Sequence, residues 1–328
     1  MFATLVGPYP RRRHSPEAGA GAQAAEQMLT REVMAEQVES GMGLLTDGLP
    51  ARILSEPTWR APVFLSEWQF ANEVARELAA DSGGEPGRAP LPVKQCLVGP
   101  YSLARMSAPG EADRERLTLA FAEVLNQELR ALAKADVPVI QIDEDAFATI
   151  AEHDAGERCL AAEALRRLTD GLDAAHLSLA VSGGSADRAG AALFYDAPFS
   201  SYLFDLIAGP DNWRLLAHAP GDRGIIAGVA DARTPRPDHE AVMVWAARYA
   251  AALNRRGLDR VGLAPSAGLE SLTREQARVK LAGLAAAGRK AAITDAHELR
   301  SALDPRAVDA RTAALGRYSR GRSSPRES

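Results

Sequence analysis

Sulfur and imidazole are scarce in this chain of 328 residues, which carries two cysteines, Cys96 and Cys159, and six histidines. Two cysteines so far apart form no disulfide framework, and reduced thiols in the cytoplasm are the expectation. No H-x-C, H-E-x-x-H or C-x-x-C spacing occurs, so the common zinc motifs are missing. No apolar run reaches the ~18 residues of a membrane span. The N-terminal "MFATLVGPYPRRR" places its charges after the apolar stretch, the reverse of a secretory signal. Positive charge is not in excess either: 38 Lys and Arg face 43 Asp and Glu. That balance argues against a nucleic-acid partner. G-x-G-x-x-G does not follow the first apolar run, and no serine stands in a G-x-S-x-G elbow. A small-molecule substrate is the partner these absences leave, with the oligomeric state unread.

What is present is an alternation of short apolar runs with longer helical patterns. The runs are "ATLV" (3–6), "GLLT" (43–46), "PVKQCLV" (92–98), "VPVIQID" (137–143), "LSLAV" (177–181), "SYLFDL" (201–206), "GIIAGVA" (224–230) and "RVGLA" (260–264). Several are continuously apolar, as parallel strands covered on both faces require. Between residues 114 and 135, Leu117, Phe121, Val124, Leu125, Leu129 and Leu132 recur every three or four positions and make one buried stripe. Further helices are expected over 237–256 and 273–289. Ser271 or Thr273 caps the second, and Gly257 and Gly288 mark the ends. Eight β-then-α units suggest a single (βα)8 barrel over 1–304, followed by a flexible extension at 305–328.

In such a barrel the reactive groups gather at the C-terminal ends of the strands. These ends supply Tyr9 and Arg12, then Asp47, then Ser102, where Gly99 and Ser102 open a helix whose free amides can hold an anion. The fourth run ends in "QIDED", giving Gln141, Asp143, Glu144 and Asp145. The later runs deliver Ser182, Asp205, Asp231 with Arg233, and Ser266. Three acids on a buried strand end are costly unless used or paired. Asp143, Asp231 and Arg233 are the candidate catalytic groups, and the others are candidate substrate contacts.

Six segments carry a resemblance. In order they are "ATLVGPYPR", "GLLTDGL", "PVKQCLVGPYS", "VPVIQIDEDAF", "IIAGVADARTPRP" and "RVGLAPSAGLESL". Together they resemble the catalytic, C-terminal domain of cobalamin-independent methionine synthase, a zinc-dependent barrel that moves a methyl group from methyltetrahydrofolate to homocysteine. The resemblance places the family's four zinc ligands at Ala180, Ser182, Asp205 and Ala267. It places Pro8 where the family has a serine for homocysteine, and Leu49 where it has an acid. Arg233 stands for a histidine, and Met106 for an aromatic that faces the folate. Asp143 matches the aspartate that holds the homocysteine ammonium.

Too few donors remain for a tetrahedral zinc site, so no cofactor is expected. The resemblance then implies a diverged enzyme using acid–base chemistry, of lyase or decarboxylase type, on a small carboxylated or amino-acid-like substrate. In that reading Arg233 binds a carboxylate, and Asp231 or Asp143 moves the proton. Zinc-independent methyl or one-carbon transfer from a folate-type donor is one alternative, and a non-catalytic binding protein is another.

Overall fold

Seven of the eight apolar runs become strands of one parallel sheet. The computed structural model describes residues 1–11, 20–81, 89–107 and 110–303. Arg12 and the extension at 305–328 lie outside the described residues. The strands are β1 (Phe2–Ala3), β2 (Gln95–Val98), β3 (Ile140–Asp143), β4 (Leu177–Val181), β5 (Ser201–Asp205), β6 (Gly224–Ala230) and β7 (Val261–Pro265). Their order, β1-β7-β6-β5-β4-β3-β2, runs β2 to β7 side by side in chain order and returns β1 to β7. The sheet is therefore curled, with β1 and β2 at its two edges.

The eighth run, 43–46, departs from expectation. It forms only two isolated parallel bridges, Thr4–Leu44 on the β1 side and Leu45–Val93 on the β2 side. The reason is local. The buried Gln37 amide takes both backbone groups of Thr46, accepting from its N–H at 3.1 Å and donating to its carbonyl at 2.7 Å. A backbone satisfied by a side chain cannot extend a ladder. Arg52 then bridges Leu97 and occupies the β2 edge where this segment leaves it.

Helices cover the outside. They are α1 (Ala20–Ser40), α2 (Leu65–Asp81), α3 (Pro100–Ser107), α4 (Glu111–Lys134), α5 (Ala155–Thr169), α6 (Ala191–Tyr195), α7 (Trp213–His218), α8 (Glu240–Ala252), α9 (Arg274–Ala291) and α10 (Ala296–Leu303). The 114–135 stripe is the buried face of α4, with Phe121, Leu125, Leu129 and Leu132 almost fully covered. Thr273 caps α9 in a reciprocal pair with Gln276. Gly288 does not end α9; the helix runs on to Ala291 because Leu284, Ala287 and Ala291 keep its buried face in register. Among the described residues no helix is long and apolar enough to cross a membrane.

Strand alternation makes two cores. Leu177, Leu179, Val181, Tyr202, Phe204 and Val261 face the helices in the larger cluster. Val6, Ala180, Leu203, Ile226 and Ala264 form a separate cluster inside the curl. That inner cluster is small and sits below the strand ends, leaving room for polar groups above and beside it.

Candidate active site

A cavity of about 540 Å³ opens at the C-terminal strand ends. Val6 in the segment after β1, Val98 at the end of β2 and Ala180 near the end of β4 are among its apolar lining. Pro50, Ile53 and Met106 give it an apolar rim, and Ser102, Arg105, Asp143, Asp145, Ser182 and Glu270 are its polar groups. One wall is two loops laced together. Gly7 has φ +61°, and a Cβ there would stand 2.8 Å from Gly268 Cα. Leu269 N–H donates to the Pro8 carbonyl at 2.8 Å across the same contact. The loops after β1 and β7 thus meet only because both carry glycine. A larger cavity, about 890 Å³, lies on the helical side between α5 and α6, away from the strand ends.

The "QIDED" segment sends its acids three ways. Asp143 faces the cavity and accepts from Gln141 Nε2 at 2.6 Å. Burial, reinforced by the nearby charge of Asp145, pushes its carboxyl up to about 7. Asp145 also faces the cavity, and its Oδ1 accepts from Ser182 N–H at 2.7 Å and Ser182 Oγ at 2.9 Å. Burial raises its pKa too, against those two hydrogen bonds.

Glu144 turns away from the cavity, with no exposed surface, and accepts from Tyr101 N–H, Ser102 N–H and Ser102 Oγ at 2.9, 2.8 and 2.6 Å. The anion expected at the start of α3 is therefore this glutamate, from the chain itself. Gly99 is required beside it, since a Cβ there would lie 2.3 Å from the Glu144 carboxyl carbon.

A second polar group stands at the ends of β5, β6 and β7. The buried Asp205 accepts from Ile207 and Ala208 N–H at 2.8 Å each, from Gly183 N–H at 3.2 Å and from Arg233 Nη2 at 2.9 Å. Arg233 also donates through Nη1 to Ser266 Oγ at 3.2 Å. Asp231 accepts from Arg233 N–H and Thr234 Oγ, which shapes the turn after β6.

Of the expected site residues, Ser102, Asp143 and Ser182 line the cavity. Gln141 sits beneath it, bonded to Asp143, and Glu144 anchors α3. Asp205, Arg233 and Ser266 form their own hydrogen-bonded group, with Asp231 in the adjoining turn. Two residues are held elsewhere. Tyr9 donates to Glu36 Oε2 at 2.8 Å and ties the first loop to α1, while Asp47 accepts from Arg52 Nη2 at 2.9 Å and Leu49 N–H at 3.0 Å. Sequence reasoning missed Arg105 and Glu270. Arg105 had a signal, since it follows Ser102 at helical spacing on α3 and reaches the same face.

A parallel sheet of this order, helix-covered and with its polar groups at the C-terminal strand ends, is a barrel-like α/β fold. The chain belongs to the cobalamin-independent synthase family, whose N-terminal domain description matches residues 72–253, more than half of its length. Solved structures share the fold. A B12-independent methionine synthase from Shewanella sp. W3-18-1, in complex with selenomethionine, superposes with a TM-score of 0.71 at 16% identity, over 88% of this chain and 96% of that one. A Listeria monocytogenes protein provisionally named a vitamin-B12-independent methionine synthase gives 0.68 at 14% identity, over 88% and 97%. A methyltransferase from Methanosarcina mazei gives 0.55 at 13%, over 87% and 94%. No curated protein matches the chain.

Proposed function

We propose that the chain is an enzyme acting on a small amino-acid-like molecule in the strand-end cavity, with Asp143 as the proton-transfer group and Asp145 as the partner of the substrate ammonium. The supporting observation is the Asp143–Asp145 pair. These two carboxyls share one cavity and are both pushed up by burial, but their partners differ: Asp143 accepts from one amide, and Asp145 from the N–H and hydroxyl of Ser182. Carboxyl pairs held in different hydrogen-bonding environments can divide acid–base from electrostatic work. Ser182 donates twice to Asp145 and so favours its charged form, whereas Asp143 sits near the pH where a group both gives and takes protons. Among the described residues Arg105 is the cation on the cavity wall. It lies over the Tyr101 ring with one long hydrogen bond to its hydroxyl at 3.4 Å and no carboxylate partner, which suits it to the substrate carboxylate. Arg233, the earlier candidate for that contact, is already engaged by Asp205 and Ser266.

The site is read as working without zinc. The positions that the family resemblance gives to the metal ligands are Ala180, Ser182, Asp205 and Ala267. Ala180, Ser182 and Ala267 line the cavity, yet together the four offer two methyl groups, a hydroxyl and a carboxylate that already has four donors. Such a set does not fit a tetrahedral zinc site built on thiolate and imidazole. Among the described residues no group of three His, Cys, Asp or Glu is placed to hold a metal ion.

The reaction we favour is proton-assisted bond cleavage, of lyase or decarboxylase type, on an eight-fold barrel whose eighth strand is reduced to the bridges at Leu44 and Leu45. Family membership supports a second reading, one-carbon transfer to a nucleophile that needs no zinc. Thermal shift with free α-amino acids and their N-acetyl counterparts tests the ammonium contact. Free amino acids should raise the melting temperature, and Asp145→Asn should abolish the rise by removing the anionic partner. Equal stabilisation by the N-acetyl series would remove the ammonium contact from the account.

A further inference from the structure

Below the cavity floor runs a line of three polar side chains, two of which have no part in the proton-transfer step. Lys94 lies just before β2 and Gln141 on β3; both are buried. Lys94 Nζ donates to Gln141 Oε1 at 2.6 Å, and Gln141 Nε2 donates to Asp143 Oδ1 at 2.6 Å. Among the described residues Lys94 forms no ion pair, and its side chain has no other hydrogen bond. A buried ammonium left without any anion is expensive, and burial pushes the Lys94 pKa below the usual lysine range. The charge of Asp143, reached through a single amide, works the other way and favours the ammonium.

The chemistry of this line has a direction. An ammonium has donors and no acceptor, so Gln141 must turn its carbonyl oxygen toward Lys94. The amide nitrogen then points at Asp143, and Oδ1 of Asp143 can only accept. We propose that Lys94 is a positioning residue: its ammonium fixes the orientation of the Gln141 amide, which confines the exchangeable proton of Asp143 to Oδ2 and holds the carboxylate form in reach of a counter-charge. This rests on the reading of Asp143 as the proton-transfer group.

The groups around Asp143 are consistent with that arrangement. From β2 come Lys94, which favours the carboxylate, and Cys96, whose thiol burial pushes up and so keeps neutral. From its own segment comes Asp145, which disfavours the carboxylate. β4 presents Ala180 and Ser182, which carry no charge, on the same side. Lys94 is the one cation among these groups, so its removal has a clear sign. Asp143 should become harder to ionise, and a freed Gln141 amide can rotate to accept from the protonated acid, adding to the same shift.

The test is the pH titration of the Asp143 side-chain carboxyl by carbon-13 NMR from pH 5 to 9, assigned with Asp143→Asn, in the wild type and in Lys94→Met. The expected result is a wild-type midpoint near neutrality and a midpoint about one unit higher, or more, in the variant, a roughly tenfold gain in proton affinity. An unshifted midpoint in Lys94→Met would overturn the role of Lys94 and leave the role of Asp143 standing. A wild-type carboxyl that does not titrate in this range would overturn both.

Should Lys94→Met fail to fold, the side-chain amide resonances of Gln141 in the wild type decide. They should follow the Asp143 titration, and amide signals that ignore it would contradict the coupling.

Discussion

Arg233 Nη2 stands 2.9 Å from Asp205 Oδ2, a guanidinium 42% exposed against a carboxylate with no exposed surface. Removing the cation leaves the carboxylate buried with backbone donors only. Losing one partner of a fully buried pair costs about 3–5 kcal/mol. Because much of this guanidinium lies in water, Arg233→Met should cost about 2 kcal/mol in urea unfolding at pH 7. Adding Asp205→Asn should recover only part of the loss: the amide needs no counter-charge, but its NH2 faces the Gly183 N–H that Oδ2 accepts in the wild type. A neutral single variant would show that the pair does not stabilise the strand ends.

Gly99 should tolerate no side chain. A Cβ there would collide with the Glu144 carboxyl that holds the first amides of α3. Gly99→Ala should destabilise by about 2–3 kcal/mol through overpacking and a displaced buried acid. Ser102→Ala removes only one of three donors to that acid and should cost about 1 kcal/mol. Equal losses in the two variants would contradict the steric explanation.

Asp143 gives stability a pH dependence with a defined sign. Its folded carboxyl is pushed up to about 7, whereas an unfolded aspartate titrates near ~3.9. Between these values the folded chain holds a proton that the unfolded chain has released. Stability from this group therefore falls as pH rises from about 4 to about 7 and is level above that. Asp143→Asn should stabilise on the order of 2 kcal/mol at pH 8 and have little effect at pH 4. Glu144, also pushed up to about 7, keeps a residual slope in the same window. Denaturant unfolding at the two pH values measures the difference, and the same gain at both would refute the buried acid.

Arg256, in the segment between α8 and β7, is a structural cation. Its side chain is almost fully buried and donates to the carbonyls of Ala219, Pro220, Arg223 and Ala250, pinning the end of α8 to the loop before β6. Arg256→Met should cost about 3 kcal/mol, because several buried carbonyls lose their donor together. It should leave ligand binding at the cavity unchanged in the folded fraction, and a variant as stable as the wild type would show those bonds to be dispensable.

The strands were legible because a parallel strand buried on both faces is written as a bare apolar run; "LSLAV" and "GIIAGVA" mark β4 and β6 to the residue. The segment at 43–46 was misread for the opposite reason. Its own residues favour a strand, but Gln37 competes for its backbone, and no local pattern announces that competition. Asp143 was legible as one acid among three. Alternation carries past the strand end, sending Asp143 and Asp145 into the cavity and Glu144 the other way. That Glu144 is taken up by the first amides of α3 is a tertiary contact no local pattern announces. Lys94 had a period-two signal, sharing its face with Cys96 and Val98. A lone lysine within an apolar run does not show by itself that its ammonium lies inside the barrel-like sheet beside a strand-end acid.

The most direct test of the account is proton linkage on binding. Isothermal titration of a free α-amino acid into the protein at pH 7, in buffers of different ionisation enthalpy, reads the number of protons exchanged. An ammonium arriving beside Asp143 favours its charged form, so binding should release about half a proton per chain at pH 7. The release should fade toward pH 9, and Asp143→Asn should abolish it while binding persists. Binding with no proton release in the wild type would contradict Asp143 as the proton-transfer group at this cavity.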